Sequence, residues 1–410
     1  MNRTQSTALV FAIFIFVASV GSIFFSIGFG YPTQATEVKS EEFYDTSFWD
    51  LSDAISLPLN VQLISTEVSS VQTGIGSVQL NITQFTFLSE TYESVNVRIN
   101  SYLMQRVDLL TDAPAILLLH GYGSNVLELL PMMHEIAATG YIVMGIDSPG
   151  SGDSTNFPQL NPYTFYDVSD GPTSAHIYHS VWSAARALTY LESRTLASSI
   201  IVGGASMGGM ETVILSAIDD RVDGSLSMIS GGNLFESLME GSLINSLINP
   251  DYDIGSEELD LLQRWFDPIA YYRQLTKPLF MIFGTNDPFF PVSGFMQTID
   301  EISAPLTLSI RPNYGHVVDT SWSEVIVRWM NAEFRATPSY PIILNVTSTE
   351  LLTVAGLTLQ VRVASTSLSD FYICWRTGNP GATWTITPMT LVDDEYVVDL
   401  TPLLVGKVTY

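Results

Sequence analysis

From residue 77 onward, hydrophobic and polar positions alternate. Val78, Leu80 and Ile82 are each separated by one polar residue, and Val95, Val97 and Ile99 repeat the pattern. A period of two predicts strands with one buried face, and Tyr102-Leu-Met104 continues the second of them. At residues 115–119 the alternation gives way to the unbroken run AILLL. Such a run predicts a strand covered on both faces, as in a parallel sheet. Similar runs recur at 141–146, 199–202, 224–229 and 278–283. The stretches between them have helical spacing. Residues 127–139 form one, and residues 177–193 form another, with Ile177, Val181, Ala184, Ala185 and Leu188 on a single face. Strands and helices in alternation predict an α/β unit with a mostly parallel sheet over residues 76–336.

Both flanks break this rhythm. Residues 8–30 read ALVFAIFIFVASVGSIFFSIGFG, and no charge occurs from residue 4 to residue 36. The run is long enough to cross a bilayer as a helix and exceeds the apolar core of a secretory signal. Residues 1–36 are therefore predicted to be an N-terminal transmembrane helix, an uncleaved signal-anchor; cleavage would instead release a secreted protein. Arg3 before the run and Glu37, Glu41 and Glu42 after it leave the remaining chain on the extracytoplasmic side by the positive-inside rule. Asn81-Ile-Thr83 and Asn345-Val-Thr347 are sequons compatible with that side. Residues 37–75 read as a polar leader. At the other end, residues 338–410 lose all helical signal. Short strand patterns at 342–346, 357–363, 371–376, 384–387 and 395–400 predict a small all-β domain, an immunoglobulin-like sandwich with Trp375 and Trp384 in its core. The pattern stops mid-strand at 407–410, as in a truncated domain.

Composition narrows the classes of function. Lys+Arg number 16 against 42 Asp+Glu, a net charge of −26, yet only 14% of residues are charged. An average soluble chain has about 25%, so bases are missing rather than acids added. No basic patch is available to follow a phosphate backbone, which excludes nucleic acid as a partner. With 46% hydrophobic residues, the chain has ample material for a core. The single cysteine, Cys374, cannot form an internal disulfide and reads as a small packing residue.

The chemistry lies at the ends of the apolar runs. Ile200-Ile-Val-Gly-Gly-Ala-Ser206-Met-Gly-Gly209 is a strand, a G-x-S-x-G turn and the start of a helix. That context makes Ser206 a nucleophile on a tight elbow, with the helix N-terminus beneath it favouring negative charge. His120-Gly-Tyr-Gly123 follows the first apolar run. An oxyanion needs two backbone N–H donors, and those of Tyr122 and Met207 are the candidates. Asp287 follows the run at 278–283, and His316 follows the strand at 306–310. Serine, acid, histidine is an order in which His316 takes the proton of Ser206 and Asp287 fixes the imidazole tautomer. His120 sits on the oxyanion loop and reads as its support. His134, His176 and His179 read as capping or packing residues, and Asp147 and Asp153 as turn residues on a Gly-rich loop with no basic partner.

With these four motifs in this order, residues 75–336 resemble the α/β-hydrolase superfamily, and within it the dienelactone-hydrolase, acetyl-esterase and prolyl-oligopeptidase-like serine hydrolases. The resemblance implies an eight-stranded, mostly parallel sheet and acyl-enzyme hydrolysis through Ser206, Asp287 and His316, without a cofactor or a metal. It implies a small ester as substrate, with a peptide as the alternative; a non-catalytic surface binding protein on a hydrolase scaffold is the reading from a different class. Residues 233–276 form a less regular helical insertion placed to roof the site. Within it, residues 251–258 carry several carboxylates but lack the full calcium-loop pattern. The charge balance disfavours anionic substrates. Oligomeric state is not legible.

Overall fold

The computed structural model describes residues 12–18, 22–28, 39–73, 76–193, 196–337, 342–351, 356–364, 370–375, 383–393 and 395–399. The body is a nine-stranded sheet. Its strands are β1 (Gln62–Thr73), β2 (Gly76–Tyr92), β3 (Val95–Arg106), β4 (Ala113–Leu119), β5 (Ile142–Ile146), β6 (Ala197–Ala205), β7 (Gly224–Met228), β8 (Leu279–Gly284) and β9 (Leu306–Arg311). They lie in the order β9-β8-β7-β6-β4-β5-β3-β2-β1. From β9 to β5 all pairs are parallel; β5–β3, β3–β2 and β2–β1 are antiparallel. The resemblance implied eight strands. The ninth is β1, formed from what the sequence suggested was a polar leader, and its exposed, weakly patterned side chains explain why it carried no strand signal.

The apolar runs are buried on both faces because the sheet is covered on both. Ala115, Leu117 and Leu119 of β4 point into one core with Ile142, Met144 and Val202, beneath α2 (His176–Glu192) and α3 (Met207–Ile218). Ile116 and Leu118 point into a second core with Val143, Ile201 and Phe280, beneath α1 (Leu130–Ala138) and α6 (Trp322–Phe334). Two further helices belong to the first core: α4 (Glu257–Phe266) and α5 (Val292–Asp300). Alternate residues of one strand thus enter different cores, which is why the run is apolar without a break.

Residues 39–60 strap the body rather than trail from it. Trp49 stacks on Tyr178 with centroids 4.8 Å apart and donates its indole N–H to Tyr271 at 2.9 Å. The Arg186 side chain on α2 is fully buried. Its guanidinium donates to the carbonyls of Ala54, Leu57, Pro58 and Leu88, so five N–H···O contacts of 2.7–3.3 Å replace a counter-ion. A buried cation needs such saturation to remain charged.

The two flanks depart from expectation together. No transmembrane helix forms over the N-terminal run: Ala12–Ala18 and Ser22–Gly28 are antiparallel strands, and among the described residues no helix is long and apolar enough to cross a membrane. A continuous apolar run carries no period, so it fits a helix or a buried strand equally; its Phe, Ile and Val content suits the strand. Nor is the C-terminal segment a self-contained immunoglobulin-like sandwich. One four-stranded sheet holds Ile342–Leu351, Gly356–Ala364, Glu395–Asp399 and Thr390–Val392; the other joins Thr385–Pro388 and Asp370–Trp375 to the two N-terminal strands. Two of the eight strands therefore come from the opposite end of the chain. Cys374 and Trp375 lie on a strand whose side chains are outside the described residues, as are residues 400–410. Trp384, expected inside the sandwich, is instead 2% exposed in the core of the α/β body.

Candidate active site

At the carboxyl end of β6 the chain turns into α3 through Ser206, with φ 56° and ψ −115°. A non-glycine residue held there is strained and persists only where its surroundings impose it. The Ser206 N–H is anchored on the Met228 carbonyl at 2.9 Å. The turn is too tight for side chains on either side. A Cβ on Gly204 would stand 2.2 Å from the Gly208 carbonyl oxygen, and one on Gly208 would stand 2.3 Å from that of Leu119. The G-x-S-x-G pattern is thus dictated by backbone contact across the elbow.

The loop after β4 meets this elbow. Gly121 packs against Ser206, with a built Cβ 3.5 Å from the serine Cβ. His120 is almost wholly buried, and both ring nitrogens are engaged: Nδ1 pairs with the Gly121 carbonyl at 2.8 Å, and Nε2 accepts from the Ser148 N–H at 2.9 Å. A carbonyl can only accept, so the proton is on Nδ1. Burial lowers the pKa of the ring, which stays neutral and has no free lone pair to act as a base. Asp147 completes the support. Its carboxylate accepts from the Val126 N–H at 2.7 Å, the Asp153 N–H at 2.8 Å and the Asn100 amide at 2.9 Å. Among the described residues, neither the Tyr122 nor the Met207 N–H is donated to another backbone carbonyl.

The loops after β8 and β9 bring the other two residues to Ser206. His316 Nε2 is 2.8 Å from Ser206 Oγ, and His316 Nδ1 is 2.8 Å from Asp287 Oδ2. Asp287 is buried, and its Oδ1 accepts from the Phe289 and Phe290 N–H groups at 2.8 and 3.0 Å. The two loops are stitched together. The Thr285 N–H donates to the Arg311 carbonyl, the Asn286 N–H to that of Tyr314, and the Asn313 N–H to Thr285 Oγ1 at 2.8 Å. At Gly284 a Cβ would stand 2.3 Å from the Tyr314 carbonyl oxygen. Ser206, His316 and Asp287 therefore form one hydrogen-bonded line.

That line and the parallel sheet beneath it have the topology of a known fold. A family model described as alpha/beta hydrolase fold matches residues 114–267. The body of this chain has the α/β-hydrolase fold. A second model, described as PhoPQ-activated pathogenicity-related protein, matches residues 247–379. Among solved structures, an acetyl xylan esterase from a Paenibacillus species is similar at 18% identity and a TM-score of 0.55, covering 72% of this chain and 98% of its own. Acetyl xylan esterase 1 from a Thermoanaerobacterium species is similar at 18% identity and a TM-score of 0.54, with 68% and 89% covered. A search of curated proteins gives no significant sequence match.

In the α/β-hydrolase domain the line borders a cavity of about 440 Å³. Leu129, Pro131, Met132, Ile229, Val317 and Val318 give it an apolar wall, Tyr122 lies on it, and Glu128 is its one carboxylate. The insertion at 233–276 does not line this cavity; its helices pack into the first core, with Phe266 against Phe48 at 5.7 Å, and its Leu243 N–H donates to the Pro288 carbonyl of the acid loop at 2.8 Å. Three features were not anticipated from sequence. Phe289 and Phe290 flank the His316 ring at 4.5 and 5.9 Å. Ile229 lines the cavity with φ 43°, an unusual strain for a β-branched residue. Asp147 is a buried anchor, more than a turn residue. The run Asp287-Pro-Phe-Phe290 was the available signal for the aromatic pair. Of the remaining histidines, His176 packs as read, buried against Phe157 at 5.1 Å; His134 Nδ1 bonds the Leu130 carbonyl at 2.7 Å, and His179 pairs with Glu90 at 2.9 Å. Among the described residues, no group of three or more His, Cys, Asp or Glu side chains could hold a metal ion.

Proposed function

We propose that this protein is a serine hydrolase that cleaves carboxylic esters through an acyl-enzyme. The observation that carries the reading is the unbroken line Ser206 Oγ–His316 Nε2 and His316 Nδ1–Asp287 Oδ2, both 2.8 Å, beside an open cavity. Ser206 attacks the ester carbonyl while His316 takes its proton. The backbone N–H groups of Tyr122 and Met207 receive the developing oxyanion. His316 then protonates the departing alcohol, and a water activated by the same ring releases the acid. Asp287 holds the ring through its contact with Nδ1.

The apolar wall and the Glu128 carboxylate favour small neutral or cationic esters over anionic ones, in line with a chain of net charge −26. Two solved structures of like fold are acetyl xylan esterases by name, which weighs for an ester over an amide. The test is fluorophosphonate labelling with a Ser206→Ala control, followed by p-nitrophenyl esters of graded chain length against peptide anilides. Labelling and ester turnover lost in Ser206→Ala and in His316→Ala are expected. Ser206-independent turnover would sink the reading, and amide turnover matching ester turnover would turn it toward a peptidase.

The inferred location is extracytoplasmic. Its support is the uncharged stretch from residue 4 to 36 behind Arg3, together with the scarcity of Lys and Arg. Protease shaving of intact cells should remove the activity; full protection would refute this location.

A further inference from the structure

Trp384 lies outside the α/β-hydrolase domain in sequence, yet it reaches the loop that carries His316. Asn313, three residues before that histidine, has φ 62°, a left-handed conformation that asparagine tolerates better than most residues. This conformation accompanies a two-point contact. Asn313 Nδ2 donates to the Trp384 carbonyl at 3.0 Å, and the Trp384 N–H donates to Asn313 Oδ1 at 2.7 Å. One side-chain amide thus pairs with both backbone groups of a single residue, much as a neighbouring strand would. The backbone of Asn313 is engaged on the other side, through its N–H to Thr285 Oγ1 at 2.8 Å. Thr285 is two residues before Asp287. Asn313 therefore joins three parts: the acid loop, the histidine loop and the C-terminal segment.

The far end of this connection is firm. Trp384 is buried at 2% exposure in the first core, and it leads directly into Thr385–Pro388, which pairs with Asp370–Trp375. The histidine loop, by contrast, follows the edge strand β9, and its own side chains Tyr314 and Val317 are exposed at 40% and 58%. A loop at a sheet edge with little buried surface is free to drift unless something outside the sheet holds it.

We propose that Asn313 is a positioning residue for catalysis, and that the segment around Trp384 acts through it as a clamp that keeps His316 within reach of Ser206. The C-terminal β region is then a working part of the active site, not an appended binding module. This rests on the assignment of His316 as the base, so the test separates the two claims.

Asn313→Gly removes both side-chain bonds while keeping the positive φ. Asn313→Asp keeps the acceptor for the Trp384 N–H and loses the donor. Each full-length variant is examined by hydrogen exchange of the backbone amides in 313–317, by kcat and KM on p-nitrophenyl acetate, and by melting temperature. In Asn313→Gly, exchange in the loop should accelerate, and kcat should fall by about tenfold to a hundredfold with KM within about twofold. Asn313→Asp should lie between Gly and wild type on both measures. Unchanged exchange in Asn313→Gly overturns the clamp. A kcat loss that only tracks a lowered melting temperature, with no step between Asp and Gly, overturns the positioning role. If the wild type shows no Ser206-dependent turnover, the esterase reading falls, and the exchange measurement still decides the clamp.

Discussion

The two halves of the site are held by different means. The nucleophile half lies at the centre of the sheet. Ser206 sits between β6 and α3, its elbow is pressed against the β4 loop, and glycines permit backbone contacts closer than any side chain allows. The base half lies at the edge. His316 and Asp287 are on loops after the last two strands, joined by a few hydrogen bonds and reached from outside by Trp384. Steric contact in a packed core does not yield, whereas a hydrogen-bonded loop moves at low cost. Damage to the centre should therefore appear as loss of fold, and damage to the edge as loss of chemistry in a folded protein.

The sharpest break of this contrast is Asp287→Asn. An asparagine still offers an acceptor to the Phe289 and Phe290 N–H groups, so the acid loop keeps its shape. It no longer fixes Nδ1–H on His316 or stabilises the imidazolium. We expect kcat to drop by a factor on the order of 10⁴, with the melting temperature almost unmoved. A comparable loss of melting temperature would mean that the edge is structural after all. Gly208→Ala is the converse. Its Cβ would meet the carbonyl oxygens of Leu119 at 2.3 Å and His120 at 2.8 Å, both backbone atoms that cannot rotate away. Overpacking of this kind costs about 1–3 kcal/mol or more. Thermal unfolding should show that loss, with activity falling alongside it. A folded, fully stable Gly208→Ala enzyme would show that the centre is more plastic than the contacts imply.

The same contrast explains what was legible in the chain. Ser206, His120, Asp287 and His316 each stand directly after an apolar strand, and a strand buried on both faces is the clearest mark a sequence offers. Their roles followed from local motifs and order. The edge was harder. Asn313 and Trp384 are 71 residues apart, and the Asn313 side chain bonds only backbone groups of Trp384, which leave no trace in residue type. Nothing in the sequence marks Arg186, because its burial depends on the distant strap over Ala54 and Pro58. The N-terminal run misled for a related reason. Uniform hydrophobicity fixes burial but not period, and only its pairing with Asp370–Trp375 distinguishes strand from helix. Long-range pairing, more than local chemistry, is what the sequence left unread.

A subtler difference between the halves is their response to pH. Asp287, in the base half, is buried with hydrogen bonds to both oxygens. Glu211, on α3 behind the nucleophile, is fully buried, and its Oε1 has no hydrogen-bond partner among the described residues. Burial raises its pKa from 4.5 to about 8, so the folded protein holds it protonated at neutral pH. The unfolded chain releases that proton near 4.5. Between these values the folded state binds more protons, and stability falls as pH rises, by up to about 1.4 kcal/mol per pH unit for one such group. Two other buried groups titrate elsewhere. Asp267, raised by burial to about 6, acts in the same direction but is spent by neutrality. His176, lowered by burial from 6.5 to about 3, acts in the opposite direction, withdrawing stability only as pH falls below 6.5. The window from pH 7 to 8 therefore isolates Glu211. Wild-type melting temperature should decline across it, and Glu211→Gln should flatten that decline while leaving the slope below about pH 4.5 unchanged. An unchanged slope in Glu211→Gln would mean that the carboxyl is ionised in the fold and that the nucleophile half carries no such pH weakness.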